Sequence, residues 1–494
     1  MKISKVLSLF ASAVSASCAL AVAPSITGVS MSQGGGSRLV TINYTLADAP
    51  AVITLDVVTN VVANATSDSD EWASIGGEAI WNATGDVWKK VGASLTEGNT
   101  FNGTITWRPD LSWPGHKLDG SSVQARAVVT AYATDNPPDY MVVDLTASGG
   151  PDTEEYYPGA DFLPKSDYDQ VGAITNNPAY KTTKIVLRKI MAKNIKWTMG
   201  SYADGKEPSR SVGTTTSGTF NTGGVDSEAA HQVELTNNYY IAVFETTQEQ
   251  WALVVTNSWP SFYTNATDRA YRPVEKVSYA NIRARSATAT GNSIPDTTHF
   301  WPNDPHPDSF LGILDNVTGL KFDLPSEAQW EFACRAGNGN GNWGNGEPID
   351  HTGTGSVEDG NLAHIGRYNK NYGTSDKDHV PASEGGTAIV GSYQPNSWGI
   401  YDMHGNVYEI CLDWQAWNIT SLGGKVNLDP TNPNGDALGN TYEFTSNQNV
   451  YRVRRGGAFG VYASNCRSAM RLSGLKTTNS GEKNTGFRIV CPLD

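Results

Sequence analysis

The chain has 494 residues, of which 17% are charged, and a formal net charge of −14. Because phosphate contacts need clustered lysine and arginine, this acidic balance without a basic run argues against a nucleic-acid-binding protein. The 14 tryptophans and 21 tyrosines supply ample surface to bury, which argues against disorder and, at this length, predicts two domains of unequal size.

The first residues predict a signal peptide over residues 1–21. It has a basic start, a short apolar core over residues 6–14 and a small-residue cleavage site, Ala-Leu-Ala, at residues 19–21. The apolar core is too short to span a bilayer, and no later apolar run is long enough. The alternative of a lipid-modified Cys18 lacks the leucine expected at position 15, where serine stands. We therefore expect an exported protein, periplasmic or secreted, without a membrane span.

Residues 22–150 predict an antiparallel β-sandwich of immunoglobulin or fibronectin type. Several short strands without helical periodicity, separated by turn clusters, are typical of this fold. The region shows no catalytic constellation, and its simplest role is that of a spacer or adhesion module. The segments with β-branched alternation are residues 39–46, 52–58, 103–107, 125–132 and 140–145.

Residues 151–182 predict a linker, because their start is rich in proline, glycine and charge. The second domain, residues 183–494, contains few long periodic segments. Residues 245–255 and 278–283 predict short helices, and most of the remainder predicts loops and short strands. A compact domain with so much loop needs disulfides, metal ions or buried polar networks to fix it.

The clearest helix is predicted over residues 326–335. Ser326 at the N-cap and Gln329 three residues later form a capping box. Trp330 and Cys334 lie four residues apart on one face, so we expect Cys334 to point into the core.

The chain ends in a predicted strand over residues 484–491 with period-two alternation. Phe487, Ile489 and Cys491 share one face, which we expect to point inward, and Arg488 lies on the other.

Four cysteines remain after removal of the signal peptide, and an even number in an oxidising compartment predicts two disulfides. Cys334 on the helix and Cys491 on the last strand both point inward and form the first predicted pair. Cys411 and Cys466 form the second by elimination, although four cysteines allow three connectivities.

Several segments of the second domain resemble, in the same order, the formylglycine-generating enzyme (sulfatase-modifying factor) domain. The resemblance covers residues 183–494 and implies a loop-rich fold related to C-type lectins. The expected fold class is therefore mixed, with an all-β sandwich followed by an α+β domain. The matching segments are residues 197–201, 231–235, 244–247, 272–278, 324–337, 398–409, 455–459, 466–471 and 486–488.

The resemblance implies only half of a copper site. Members that make formylglycine bind one copper ion through two cysteines five residues apart, and thiolate is the ligand that copper(I) prefers. The equivalent positions here are Val461 and Cys466. Valine cannot ligate a metal, and a cysteine in a disulfide cannot do so either. Copper is therefore not expected, and Cys466 is the catalytic candidate if the domain is active.

Iron chemistry is not expected either. Relatives that use nonheme iron hold it with two histidines and a glutamate, closely spaced in an added helical domain. The eight histidines of this chain show no such spacing. The region before the second domain is also β-rich rather than helical.

Structural calcium is a further implication of the resemblance. The side chains of Asn406 and Glu409, with the Val407 carbonyl, match a loop that supplies hard oxygen donors to calcium. The alternative is that these side chains only cap turns. A second site would use oxygens of Asn361, Leu362 and Glu384.

Four arginines lie amid apolar residues and glycine turns, namely Arg455, Arg467, Arg471 and Arg488. We expect buried guanidinium groups that bond loop carbonyls and carboxylates. The alternative is binding of a substrate carboxylate. His404 is expected at an exposed turn. The expected carboxylate partners are Glu331, Glu409 and Asp413.

Two functions stay open. The first is a binding or scaffold protein with a protein, peptide or carbohydrate ligand, for which Trp414 and Trp417 could stack on a sugar. The second is a copper- and oxygen-dependent oxidase that converts a cysteine of a target protein to formylglycine, or a related oxidase. The missing thiol at Val461 favours the first.

Overall fold

The computed structural model describes residues 23–62, 71–95, 99–116, 124–147, 153–164, 174–200, 231–265, 267–288, 297–299, 301, 303–339, 341–350, 358–371, 385–414, 427–428, 451–476 and 481–493. The predicted signal peptide, Glu384 and Trp417 lie outside these residues. Within the described segments, no helix is both long and apolar enough to cross a membrane.

The first strands form the predicted β-sandwich. One sheet has the strand order β1-β2-β7-β5, and the other joins β4, β3 and β6, with β8 pairing with β3. A short helix, α1 (Pro109–Ser112), follows β7. The predicted all-β fold of this region is confirmed. The strands are β1 (Ser25–Gln33), β2 (Val40–Ala47), β3 (Ala51–Asn60), β4 (Trp72–Ser74), β5 (Thr84–Gly85), β6 (Lys90–Val91), β7 (Phe101–Trp107) and β8 (Ala125–Tyr132).

Strand β2 shows how the sandwich is packed. Ile42, Tyr44 and Leu46 are buried between the sheets, while Asn43 between them is exposed on the outer face. The neighbouring strand β7 makes room for the Tyr44 ring at Gly103, where a Cβ atom would lie 2.1 Å from a ring carbon. Each such buried side chain contributes on the order of 2 kcal/mol of transfer free energy.

The rest of the chain mixes short strands with short helices, which confirms the mixed fold class. The helices are α2 (Gln248–Val254), α3 (Phe310–Thr318), α4 (Glu327–Arg335) and α5 (Leu362–Ile365). The strands are β9 (Tyr140–Asp144), β10 (Glu154–Tyr157), β11 (Lys184–Ile190), β12 (Lys196–Met199), β13 (His231–Glu234), β14 (Tyr239–Ala242), β15 (Tyr408–Trp414), β16 (Asn427–Leu428), β17 (Tyr451–Arg455), β18 (Leu472–Lys476), β19 (Thr485–Gly486) and β20 (Val490–Pro492).

A five-stranded sheet joins the two predicted domains. Its order is β10-β9-β11-β14-β20, so β9 pairs with the entry strand of the second domain, with Val143 opposite Ile185. Strand β10 lies inside the predicted linker, which also contains a 3-10 helix, Pro178–Lys181, capped by Asn177. The described residues of that segment are therefore folded rather than an open connection.

The hydrophobic core is also continuous across this junction. One cluster contains Val57 of the sandwich together with Val142, Tyr157 and Phe244. The Tyr157 ring stacks on Trp88 with a centroid separation of 5.0 Å. The sandwich and the second domain thus bury apolar surface against each other.

The helix predictions were mostly confirmed. In α4, the Ser326 hydroxyl accepts from the Gln329 amide at 3.0 Å and the Gln329 side chain accepts from the Ser326 amide at 2.9 Å, as in the predicted capping box. Helix α2 and a π-helix, Ala280–Ala284, lie at the other two predicted positions.

Two elements differ from the predictions. Helix α3 was not predicted, although Ser309 caps its start and Gly319 ends it in the left-handed conformation. The single strand predicted over residues 484–491 is divided into β19 and β20. Phe487 and Ile489 between them are buried as expected, and so is Arg488 on the opposite face.

Candidate functional site

The segments that resemble the family meet around β15. Glu409 of β15 lies opposite Arg455 of the antiparallel neighbour β17, and Tyr408 lies opposite Thr485 of the parallel neighbour β19. The Leu412 amide donates to the Pro325 carbonyl at 3.0 Å, which ties β15 to the start of α4. Segments far apart in sequence therefore share one buried centre.

Buried ion pairs hold α4 in this centre. Glu331 bonds Arg335 at 2.7 Å and also bonds Arg455, while Glu327 bonds Arg471 at 2.7 Å. Burial opposes ionisation of Glu331, but Arg335 and Arg455 outweigh it and hold the pKa of this carboxyl below its ordinary value. Paired buried charges of this kind are costly to disrupt, because removing one leaves the other unneutralised.

The predicted arginines act as expected, through loop carbonyls and carboxylates. Arg455 donates to the Met470 carbonyl at 2.7 Å, and Arg467 donates to the Ser464 carbonyl at 2.8 Å. Asp413 accepts from the backbone amide of Glu327 at 2.6 Å. These contacts connect loops to the helix.

Glu409 is engaged by protein donors rather than left open for a metal ion. Its two oxygens accept from Arg488 Nε and Nη2, both at 2.6 Å, and one also accepts from Trp330 Nε1 at 2.7 Å. Asn406, in the left-handed conformation, accepts from the Ala388 amide at 2.8 Å and donates to Glu245 at 2.6 Å. The side-chain oxygens predicted to bind calcium at this loop thus already accept hydrogen bonds from the protein.

Two acids that the sequence interpretation assigned no role lie beside this loop. Glu245 accepts from the Val407 amide at 3.1 Å, and Asp402 accepts from the Gly391 amide at 2.7 Å through one oxygen. The other Asp402 oxygen is buried without a hydrogen-bond partner among the described residues. Glu245 follows the apolar residues of β14 and those directly after it. An acid at the end of such an apolar run was the sequence signal that could have identified it.

The carboxylates of Asp402 and Glu409 lie close enough to Glu245 to act on it electrostatically. Burial, followed by the charges of Asp402 and Glu409, raises the pKa of Glu245 well above its ordinary value. Burial raises the pKa of Asp402 to about 6. Across the described residues, no group of three or more histidine, cysteine or acidic side chains is arranged so that it could hold a metal ion.

The second predicted calcium site is only partly described. Asn361 at the start of α5 donates to the Pro348 carbonyl at 2.9 Å. The Leu362 amide donates to Asp359 at 2.8 Å, and the Leu362 carbonyl accepts from Gly366 within its own helical turn at 2.9 Å. Because Glu384 lies outside the described residues, this site stays a prediction.

Val461 and Cys466, the positions equivalent to the copper ligands, lie on one turn. Cys466 ends the 3-10 helix Ala463–Cys466 and is buried, while Val461 is partly buried and its carbonyl accepts from the Asn369 amide at 3.0 Å. Burial raises the pKa of the Cys466 thiol to about 12. This thiol is therefore protonated at neutral pH and is a poor nucleophile.

The structure contains neither predicted disulfide, and all four described cysteines are thiols. Cys334 lies in one hydrophobic cluster and Cys491 in another, although both point inward as predicted. Cys411 shares the cluster of Cys334, whereas Cys466 lies in a fourth cluster beside Trp343. Each predicted pair is thus divided between separate parts of the core.

His404 is buried, and its expected exposure was wrong. Its Nδ1 lies 2.8 Å from the Cys466 carbonyl, and its Nε2 accepts from the Gly344 amide at 3.0 Å. Nε2 is also 3.6 Å from the Cys334 sulfur. Burial lowers the pKa of His404 to about 4, so the neutral ring connects three segments of backbone.

Two further predicted contacts stay untested. Strand β15 ends at Trp414, which lies opposite Arg452 of β17. Stacking of Trp414 or Trp417 on a sugar stays a prediction.

Curated proteins similar to this chain include two formylglycine-generating enzymes. The one from Streptomyces coelicolor is 32% identical over 177 residues, which are 35% of this chain and 47% of that protein. The one from Thermomonospora curvata is 31% identical over 212 residues, which are 40% of this chain and 58% of that protein. The chain therefore spans about half the length of these relatives.

Two other proteins are similar to this chain over a smaller share of their length or with lower sequence identity. A serine/threonine-protein kinase pkn1 of Chlamydia pneumoniae is 30% identical over 168 residues, which are 34% of this chain and 20% of that protein. The solved structure of Treponema denticola variable protein 1 aligns with a TM-score of 0.40 and 21% identity, over 63% of this chain and 95% of that one.

The match to a protein-family model shows which family this chain belongs to. It is described as the sulfatase-modifying factor enzyme 1-like domain and matches residues 202–493, more than half of the chain. It includes α4, the β15 loop, the turn at Val461 and Cys466, and the final strands. The chain thus belongs to the family of sulfatase-modifying factor enzyme 1-like domains.

Proposed function

We propose that this chain is an exported binding or scaffold protein whose sulfatase-modifying-factor domain carries no copper oxidase chemistry. The observation that carries the proposal is the pair of positions Val461 and Cys466. One side chain has no thiol, and burial raises the pKa of the other to about 12. Since copper(I) prefers thiolate ligands, a single protonated thiol is a weak basis for holding it. The ligand is a protein, a peptide or a carbohydrate.

The alternative is an oxygen- and copper-dependent oxidase that acts on a cysteine of a target protein. The variant Val461→Cys supplies the second thiol, and Val461→Ser is its matched control. Copper(I) binding is measured by competition with a chromophoric chelator, and oxygen consumption is measured with a cysteine-containing peptide. We expect one copper ion per chain in Val461→Cys and none in the natural protein or in Val461→Ser. Stoichiometric copper with oxygen consumption in the natural protein would reverse the proposal.

We also propose a structural calcium ion at the loop of Asn406, Val407 and Glu409, beside the carboxylates of Glu245 and Asp402. It is supported by the charge excess of these three carboxylates over the neighbouring Arg488 and Lys181, and by the unpartnered buried oxygen of Asp402. A bound calcium ion would supply the missing positive charge beside the loop that Glu245 holds. In the structure Arg488 neutralises Glu409, so calcium would compete with that contact.

Calcium is tested by comparing thermal unfolding in calcium and in a chelator. We expect calcium to raise the Tm of the natural protein but not that of Asp402→Asn, because asparagine tolerates the left-handed conformation of this residue and lacks its charge. Glu234→Gln, on a strand outside this loop, is the matched control. A Tm that is the same with and without calcium would indicate that a proton on Glu245 balances the cluster instead.

A further inference from the structure

Strand β1 is an open edge of the sandwich. It lies at the end of the sheet β1-β2-β7-β5 and, among the described residues, it pairs with β2 alone. The register with β2 is interrupted once, between Ile26 and Gly28, and is continuous from Gly28 to Gln33. Along this regular stretch, every second residue directs its N–H and C=O groups away from β2, as in any antiparallel pair. Such an extended row of donors and acceptors is complementary to another β-strand.

This edge lacks the features that usually prevent edge strands from pairing, which are charge, proline and short length. Strand β1 has nine residues, none of them charged and none of them proline. Where the structure describes other edge strands, β4, β5, β6, β16 and β19 have only two or three residues. The longer ones carry a protecting residue, namely Arg126 in β8, Glu154 and Glu155 in β10, Lys196 in β12, Lys476 in β18 and Pro492 in β20.

An apolar side chain is also left uncovered at this edge. Val29 lies opposite Tyr44 of β2, and Met31 lies opposite Ile42, and both residues of β2 are buried in the core. Because residues opposite each other in an antiparallel pair point to the same face, Val29 and Met31 point to the core side of the sheet. Met31 packs partly against the core, whereas 42% of Val29 is exposed. A further strand beside β1 would cover it.

We propose that β1 pairs antiparallel with β1 of a second copy of this chain. A two-fold axis through Ser30, perpendicular to the sheet, keeps the core sides of both copies on the same face. It places Val29 of each copy opposite Met31 of the other copy, and Gly28 opposite Ser32. The apolar side chains at the two edges then cover each other, and the two sheets become one.

The charge of the chain favours a second copy at this edge. Two copies with a net charge of −14 each repel one another, so they approach most easily where both surfaces are uncharged. Residues 28–33 and the residues opposite them on β2, 40–45, include no charged side chain. A contact along one strand is smaller than a standard interface, so we expect a Kd on the order of 10 μM. The proposal does not depend on whether copper or calcium binds the second domain.

The test uses the full chain and the variants Ser30→Lys and Ser30→Glu. Ser30 is exposed and lies opposite the exposed Asn43, so neither change enters the core. Each variant places two like charges opposite each other at the two-fold axis, which disfavours pairing. Asn43→Lys makes the same charge change one strand away from the edge and is the matched control. Sedimentation equilibrium measures the dimerisation constant, and thermal unfolding verifies that the variants are folded.

We expect the natural protein and Asn43→Lys to dimerise equally, and each Ser30 variant to dimerise at least about threefold more weakly. An equimolar mixture of Ser30→Lys and Ser30→Glu should recover the dimer, because opposite charges then meet at the axis. Damage to the fold would not be repaired by mixing.

Three results would overturn the proposal. A natural protein that stays monomeric up to about 1 mM would favour a strand of a different protein as the occupant of this edge. Equal dimerisation of the natural protein and both Ser30 variants would place the dimer contact elsewhere. Weaker dimerisation of both variants without recovery in the mixture would exclude pairing about Ser30.

Discussion

The sandwich and the second domain are stabilised by different kinds of core. Among the described residues of the sandwich, Thr54 is the one buried polar side chain. The second domain buries whole ion pairs, such as Arg455 with Glu331 and Arg488 with Glu409. The difference follows from how each region satisfies its backbone. Strand ladders pair the amides and carbonyls of the sandwich, whereas the loops of the second domain need side-chain donors.

Arginine is suited to that task because its guanidinium carries five donors in a fixed plane. Arg488 donates to the carbonyls of Ala242 and Tyr401, both at 2.9 Å, while it also neutralises Glu409. One side chain thus connects three segments of the chain. Loops can therefore form the core of a domain when charged side chains bond the backbone groups that strand pairing would otherwise satisfy.

The largest expected effect comes from breaking one buried ion pair. Arg455→Met should lower the free energy of unfolding by about 3–5 kcal/mol, because Glu331 and Glu327 lose a buried counter-charge. Urea unfolding measures the loss. Leu55→Ala in the sandwich, which leaves a cavity instead of a charge, is the comparison, with an expected loss of about 2–5 kcal/mol. A loss below 1 kcal/mol for Arg455→Met would mean that the ion pairs are not what stabilises the second domain.

Acid should weaken the second domain through His404. Burial lowers its folded pKa to about 4, while the unfolded value is about 6.5, so between these values only the unfolded chain takes up the proton. Stability is therefore lost as the pH falls, by about 2 kcal/mol between pH 7 and pH 5. Urea unfolding of the natural protein and of His404→Gln measures this contribution as a difference.

The natural protein must be compared with His404→Gln because buried acids change the stability in the opposite direction as the pH falls. Burial raises the pKa of Glu275 and of Asp413 to about 7, so their protonation favours the folded state as the pH falls. His116→Gln, at an exposed position of the sandwich, is the control and should keep the pH dependence of the natural protein. The same pH dependence in His404→Gln would exclude His404 as its source.

A smaller effect is expected at the start of α4. Ser326→Ala removes the side-chain oxygen that caps the helix and should cost about 1 kcal/mol. Ser326→Asp keeps a capping oxygen and is the matched control, although its charge lies near Glu327. Urea unfolding distinguishes the two, and an equal loss in both variants would argue against the capping role.

The smallest effect is expected on the outer face of the sheet β1-β2-β7-β5 of the sandwich. The hydroxyl groups of Thr84 and Thr106 lie 3.0 Å apart at an exposed position. Thr84→Val/Thr106→Val keeps the β-branched shape and should change the free energy of unfolding by less than about 1 kcal/mol. A larger loss by urea unfolding would show that exposed cross-strand pairs stabilise the sandwich as strongly as buried pairs stabilise the second domain.

Local patterns predicted the elements better than the contacts between them. Alternation located β2 and β7, and the Ser326 capping box located α4, because these signals lie within a few residues. The pairing of Glu331 with Arg455 was anticipated only as a class of contact. The structure shows four free thiols instead of the two predicted disulfides, because an inward-facing cysteine does not reveal which part of the core it enters.

The candidate site was harder to predict for the same reason. Asn406 lies in the left-handed conformation just before β15, and Glu409 lies on β15 itself. Their partners Glu245 and Arg488 come from distant parts of the sequence. No local pattern predicts that Arg488 neutralises the Glu409 carboxylate. The buried state of His404 likewise depends on Gly344 and Cys466, which only the folded chain brings together.

Strand β9 restricts how this protein could be divided or recombined during evolution. It precedes the predicted linker, yet it pairs along β11 in the sheet that supports the second domain. A gene encoding residues 183–494 alone would produce β11 with an unpaired edge in what is now the middle of a sheet. Such an edge is a template for aggregation. A chain without β9 would therefore need a substitute strand beside β11.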